Sequence, residues 1–346
     1  MYIEALIEKS ALQKASDLHL SCGLPPKIRL DGRLVDLEGE PPLTAEVCEA
    51  IAQELLGGPM PPMGERDLSM TLAGRRVRAN LYRQSGHVSC ALRILADAIP
   101  ELEVLGLPPV VQDFPALQRG IVLVTGETGS GKSTTLAAIL RRINETRQDH
   151  IITLEDPIEY IHVSDRCVVD QREVGRDTAS YADGLRAILR EDPDVILIGE
   201  MRDLVTIETA LTAAETGHLV FATLHTNSAA DSIDRMVDVF PAERQRQIRM
   251  QLSMTLQAVL TQQLLPRRGG GRVAACEVMV VSPAIRNLIR EGKTPQIANA
   301  VATSADLGSI TMDNALVRLF KDKAISAEVA RGAAHDPEYV KKNTLF

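Results

Sequence analysis

At 346 residues the chain exceeds the size at which a single core stops growing, so two domains are expected. A hydrophobic content of 45% supports large cores, whereas a net charge of −8 and an aromatic content of 3% with no Trp exclude a general nucleic-acid surface and single-strand binding by base stacking. The five cysteines, Cys22, Cys48, Cys90, Cys167 and Cys276, are scattered and form no C-x-x-C pair, so neither a disulfide framework nor a structural zinc site is expected. No apolar run is long enough to span a bilayer, and Met1-Tyr2-Ile3-Glu4 lacks the basic start of a secretory leader. A soluble, cytoplasmic protein is expected, with any membrane role acting through partners.

Ile3, Leu6, Ile7 and Leu12 form a helical stripe over residues 2–15. Leu18 to Leu20 reads as a short strand, and Lys27 to Leu30 with Leu34-Val35 reads as a hairpin turned at Asp31-Gly32. Residues 45–56 are expected to be helical, and 67–72, 75–83 and 87–95 to be three further strands. Residues 1–95 therefore form a small α+β domain with an antiparallel sheet. The stretch 96–112, with Pro100, Pro108 and Pro109, is expected to be an interdomain linker and hinge. From 113 to 346 helices alternate with the apolar runs 121–125, 151–154, 195–198 and 219–224, the pattern of a parallel sheet covered on both faces. The tail from about 283 reads as mostly helical.

Gly126-Glu127-Thr128-Gly129-Ser130-Gly131-Lys132-Ser133 follows one of these buried runs and opens a helix, the context in which G-x-x-x-x-G-K-[ST] cradles a nucleotide. The glycines let backbone N–H groups curl around phosphate, the helix N-terminus adds partial positive charge, and Lys132 adds a full one. Gly126, Thr128, Gly129, Ser130, Gly131, Lys132, Ser133 and Thr134 are the expected nucleotide-binding set, with the Ser133 hydroxyl offered to Mg²⁺. Three more runs end in polar loops: Glu155-Asp156-Pro157-Ile158-Glu159, Gly199-Glu200-Met201-Arg202-Asp203 and His225-Thr226. Ligands of open parallel sheets collect at such strand ends. Hydrolysis of a triphosphate needs a carboxylate to orient water, and Glu159 and Glu200 are the candidates. Glu200 stands where a Walker B strand ordinarily ends in Asp, and His225 is positioned to sense a γ-phosphate. Both a packing and a catalytic role are open for His218, whose spacing to His225 puts the two on opposite strand faces.

Leu189 to Asp203, Thr153 to His162 and Thr216-Gly217-His218 through His225-Thr226 resemble the signature, Asp box and His box of the type II/type IV pilus secretion ATPase superfamily. Ala284-Ile285-Arg286-Asn287-Leu288-Ile289-Arg290-Glu291 resembles the signature helix of its pilus-retraction members. Ser282 and Pro283 suit the start of that helix and Gly292 its end. Only Cys276 lies beyond His225, whereas assembly and secretion ATPases typically carry a four-cysteine zinc insert there. The resemblance implies a PAS-like N-terminal domain joined to a RecA-like domain, a homo-hexameric ring, and ATP with Mg²⁺ between the two domains. It implies Glu159 as general base, Glu200 as the Walker B carboxylate and a metal ligand, His225 as the His-box residue, and Arg78 and Arg93 as cations of the N-terminal sheet that close on the γ-phosphate. The implied work is pilus retraction from the cytoplasmic face of the inner membrane, with a platform protein and other pilus ATPases as partners. Extension or secretion by a related motor, and an accessory ring subunit with weak hydrolysis, share most of these motifs.

Overall fold

The computed structural model describes residues 2–30, 32–95 and 98–344; Asp31 of the expected turn and Ala96-Asp97 of the expected linker lie outside the described residues. The chain divides into two compact units, one of Met1–Ala98 with Pro157–Ile161 and one of Ile99–Asp156 with His162–Phe346.

In the first unit the elements are α1 (Tyr2–Leu12), β1 (Asp17–Ser21), β2 (Lys27–Leu30), β3 (Arg33–Asp36), α2 (Ala45–Leu56), β4 (Glu65–Leu72), β5 (Arg75–Gln84) and β6 (His87–Ile94). The six strands form an antiparallel sheet in the order β3-β2-β1-β6-β5-β4. Alternation along the strands decides its faces. Leu18 and Leu20, Val77, Ala79 and Leu81, and Cys90 and Leu92 turn into one core with Ile3, Leu6 and Ile7 of α1 and Ile51, Ala52 and Leu55 of α2. The alternate residues, Arg78 among them, are left for the other face. Thr44 caps α2 by accepting from the Val47 amide, and Gly57, left-handed at φ 68°, ends it.

The second unit contains β7 (Gly120–Thr125), α3 (Lys132–Thr146), β8 (His150–Glu155), β9 (Val168–Glu173), α4 (Tyr181–Ile188), β10 (Val195–Ile198), α5 (Leu204–Glu215), β11 (Leu219–Leu224), α6 (Ala229–Asp238) and α7 (Ala242–Thr255). It continues with β12 (Leu256–Pro266), β13 (Arg272–Val280), α8 (Pro283–Glu291), α9 (Ile297–Ala302), α10 (Met312–Lys321), α11 (Ala327–Gly332) and α12 (Pro337–Asn343). The sheet order is β13-β12-β7-β11-β10-β8-β9, parallel throughout except for β13. The continuous apolar runs are explained by two cores. Ile121, Leu123, Ile152, Leu154, Ile196, Ile198, Val220 and Ala222 pack on one face with α4 to α8. Their strand neighbours Val122, Val124, Ile151, Val195, Leu197, Leu219 and Phe221 pack on the other with Leu136, Ile139 and Ile143 of α3. Full burial of each such side chain stabilises by about 1.5–3 kcal/mol.

Of the expected linker stretch, the residues from Ile99 onward belong to the second unit, where Leu102, Val111 and Phe114 are buried against α3 and β7. Three strands were not expected from the sequence. β9 is a polar edge strand, Val168 to Glu173, so no apolar run announces it. β12 follows α7 without a break, and Thr261-Gln262-Gln263 interrupts its apolar pattern. β13 pairs antiparallel with β12 and adds one antiparallel edge strand to the parallel sheet that the apolar runs predicted.

Candidate nucleotide site

Strand register brings the polar loops of the second unit to one edge. Thr125, the last residue of β7, pairs with Leu224 at the end of β11, while Ile198 at the end of β10 pairs with Ala222 and with Leu154 of β8. The P-loop, the Glu155-Asp156 pair, Gly199-Glu200 and His225 therefore all leave the sheet at its carboxyl edge, on four adjacent strands.

Backbone geometry at the P-loop requires its glycines. Gly126 has φ 135°, and a Cβ there would come within 2.3 Å of the Gln262 carbonyl oxygen on β12. Gly131, at φ 95°, precedes the first turn of α3. This opens the loop around the α3 N-terminus, where the first-turn amides and the helix dipole favour an anion. The Lys132 ammonium is buried and donates to the carbonyls of Gly126 at 2.7 Å and Glu127 at 2.9 Å, so it is held at the centre of the loop. Ser130 Oγ is buried without a hydrogen-bond partner among the described residues. Ser133 is half-buried, and its hydroxyl makes no hydrogen bond among the described residues. Beneath the loop, Gln262 Nε2 donates to Thr135 Oγ1 at 3.0 Å, and Thr125 Oγ1 and Thr261 Oγ1 lie 2.8 Å apart.

At the end of β10 the Glu200 carboxylate receives Arg202 Nε at 2.6 Å and lies 3.3 Å from His225 Nε2. Burial pushes its carboxyl up, but the Arg202 hydrogen bond and the charges of His225 and Arg202 outweigh this and hold it below the ordinary range. Glu200 is thus an ionised carboxylate at 19% exposure, oriented by an arginine at 75% exposure and a histidine at 42%. The sequence placed Glu200 and His225 at the ends of two separate apolar runs, and the structure makes those strands neighbours and brings the two side chains into contact. Gly199 sits in a tight corner: a Cβ there would meet the Tyr181 hydroxyl at 3.0 Å and the Leu154 carbonyl at 3.2 Å. Burial and the nearby Asp156, Glu155 and Glu200 carboxylates push the Tyr181 hydroxyl above its ordinary range. Asp203 caps α5, accepting from the Thr206 amide at 2.9 Å and the Thr206 hydroxyl at 2.7 Å. His218 lies at the opposite end of β11 from His225, with Nδ1 2.9 Å from the Ala213 carbonyl and 3.1 Å from Thr216 Oγ1 at the close of α5.

In the first unit, Glu159 is exposed in the stretch Pro157–Ile161, whose Ile158 carbonyl accepts from Arg76 Nε at 3.2 Å. Arg78 and Arg93 are register partners on β5 and β6, and Arg93 is in turn opposite Asp17 on β1. Arg93 Nε donates to Asp17 Oδ1 at 3.0 Å; Asp17, pushed up by burial, is drawn below its ordinary range by hydrogen bonds from Ser16 and Arg93. Arg78 is exposed, and its side chain has no ion pair among the described residues.

Sequence reasoning missed Glu277. It sits on β13, 7% exposed, and accepts from the amide of Ala229 at 2.8 Å and that of Met312 at 3.3 Å. One carboxylate thereby holds the first turns of α6, which follows the His225 loop, and of α10. The available signal was a single acid inside the apolar run Ala274-Ala275-Cys276-Glu277-Val278-Met279.

The type II/IV secretion system protein family matches residues 89–319. The chain is 50% identical over 345 residues to the type IV pilus retraction ATPase PilT of Pseudomonas aeruginosa, covering 98% of this chain and 99% of the relative. It is 42% identical over 344 residues to a twitching motility protein of Neisseria gonorrhoeae, covering 97% of this chain and 91% of the relative. A crystal structure of the pilus retraction motor PilT with bound ADP superposes with a TM-score of 0.90 at 47% identity, covering 98% of this chain and 99% of that one. A nucleotide loop of this geometry, four polar strand ends on one sheet edge and near-complete coverage by these relatives lead to one conclusion: the chain belongs to the type II/IV secretion system protein family, among its pilus-retraction P-loop ATPases.

Proposed function

We propose that the chain is a subunit of an ATP-hydrolysing motor that retracts type IV pili and so supports twitching motility. The observation that carries this reading is the convergence of the P-loop, Glu200 and His225 at one sheet edge in a chain half-identical, end to end, to a pilus retraction ATPase. In this proposal Lys132 and the amides opening α3 hold the phosphates of ATP. Ser133 and Glu200 are hard oxygen donors of the kind Mg²⁺ takes, and both suit a site next to those phosphates. Bound there, Mg²⁺ offsets negative charge on the phosphates. Glu159 orients the attacking water and accepts its proton as the new P–O bond forms and the bond to the ADP oxygen breaks. His225 and Arg202 keep the Glu200 carboxylate ionised and aimed, and Arg78 and Arg93 supply positive charge to the γ-phosphate.

The working assembly is a homo-hexameric ring in the cytoplasm. Among the described residues no helix is long and apolar enough to cross a membrane, so attachment to the inner membrane runs through the pilus platform protein, with other pilus ATPases as further partners. Purified protein is expected to release phosphate from ATP, with turnover reduced by at least about a hundredfold in Lys132→Ala and Glu200→Ala. Cells lacking the chain are expected to carry excess surface pili and to stop twitching, and only the wild-type gene should restore motility. Cells without pili would instead assign the chain to extension.

A further inference from the structure

The C-terminal part of the second unit carries a cavity that uses none of the nucleotide-site residues. It lies where the β12–β13 turn meets α10, α11 and α12, has a volume of about 890 Å³, and is lined by Arg268, Phe320, Lys321, Lys323, Arg331 and Thr344 among others. Its described lining holds four cations and no carboxylate, in a chain whose net charge is −8. Elsewhere on the same helices cations have acidic neighbours: Arg318 is 4.0 Å from Asp322, and Lys341 is 3.6 Å from Glu338. None of the four lining cations makes an ion pair or side-chain hydrogen bond among the described residues. Arg331 Nε is shut away from solvent with no acceptor among the described residues. A buried, unmet donor on a guanidinium is costly, and an anion reaching it would remove that cost.

The frame around these cations is rigid. Lys323 stands in the left-handed region at φ 60°, turning the chain sharply out of α10. Its amide donates to the Phe320 carbonyl at 2.9 Å, and the next amide, of Ala324, donates to the Leu319 carbonyl at 2.9 Å. The Ala324 carbonyl in turn accepts from the Arg268 amide at 2.8 Å, which ties the strand turn to the helix turn. Met312, Leu316, Ile325, Ala330 and Val340 form a buried core beneath. The backbone positions of these cations are thereby held close together, so a ligand that carries more than one negative charge would meet several of them at once, although Arg268, Lys321 and Lys323 themselves are exposed. The volume falls within the range of small-molecule sites, about 300–1,000 Å³. Phe320 gives part of the wall an apolar, aromatic character suited to an organic group.

We propose that this cavity is a second anion site, binding a small phosphate-bearing ligand through Arg268, Lys321, Lys323 and Arg331, independently of the P-loop. The test is calorimetric titration of the full-length protein, its P-loop first saturated with ADP, with inorganic pyrophosphate. One additional site per chain is expected, weakened about tenfold or more in Arg331→Gln and in the pair Lys321→Glu/Lys323→Glu, and weakened by added salt. Both variants should keep wild-type circular dichroism and ATP turnover. A parallel titration with uridine monophosphate separates the two sources of phosphate: tighter binding of the ester that is lost in Phe320→Ala identifies a phosphate ester, and binding of pyrophosphate alone identifies an inorganic anion. Absence of heat in the wild type overturns the proposal, as does binding that survives both sets of charge changes. Altered oligomer size in those variants with pyrophosphate affinity unchanged also overturns it, by assigning the cations to contact with another chain.

Discussion

Individual residues in this protein are fixed by close approach and by charge. Gly126 is a case of the first: its φ of 135° and the Gln262 carbonyl leave no place for a Cβ. Gly126→Ala is expected to spread the P-loop away from β12, with loss of nucleotide binding measured by fluorescent-nucleotide titration while the sheet still folds. Glu277 is a case of the second. Burial raises its carboxyl above the ordinary value of 4.5, only partly countered by the Ala229 and Met312 amides. The folded state then binds this proton more readily than the unfolded chain does. The stabilising contribution is complete below pH 4.5 and is lost as pH rises through the raised value. Urea denaturation followed as pH rises above 4.5 should therefore show a flatter stability profile in Glu277→Gln than in wild type. An unchanged profile would mean that Glu277 titrates normally.

At the scale of elements, the helix 283–291 shows how capping and a tertiary staple combine. Ser282 accepts from the Ile285 amide at 3.3 Å, Pro283 occupies the first turn, and Gly292 closes the helix at φ 69°, all as the sequence pattern required. Ile285 and Ile289, four residues apart and so on one helix face, are buried. The role of Arg286 was not visible in the sequence. It donates to the carbonyls of Ser253 at 2.8 Å and Met254 at 3.1 Å and to Gln257 Oε1 at 3.3 Å, and so binds α8 to the last turn of α7 and the start of β12. A cation at a helix C-terminus also complements its dipole. Arg286→Ala is expected to destabilise the protein by about 1–3 kcal/mol, read from the urea midpoint, with the slope unchanged.

For the whole molecule, the proposed motor requires that nucleotide state govern the two units through the arginines of the N-terminal sheet. Arg78 and Arg93 differ in what they are free to do. Arg93 is already engaged by Asp17, whereas Arg78 has no ion pair among the described residues. Arg78→Ala is therefore expected to lower ATP turnover more than Arg93→Ala, within the roughly thousandfold range that a catalytic arginine supplies, with neither change moving the thermal midpoint. Equal, small effects in steady-state phosphate release would remove both residues from the mechanism.

The nucleotide loop, the alternating helices and apolar runs, the antiparallel N-terminal sheet and the caps of α8 were legible in the residues alone, because each rests on local geometry or periodicity. Glycines, a helix start and a buried strand in succession leave the chain few alternatives. Other features depend on partners distant in sequence. β9 is a strand because β8 offers it a ladder, β12 joins the sheet because β7 lies open beside it, and Glu277 stays buried because two helix N-termini, far apart in the chain, meet at one carboxylate. The contact of Glu200 with both Arg202 and His225, and the gathering of four cations around one cavity, are likewise decided by tertiary structure, since charge pairing is settled by distance in space and not by spacing along the chain.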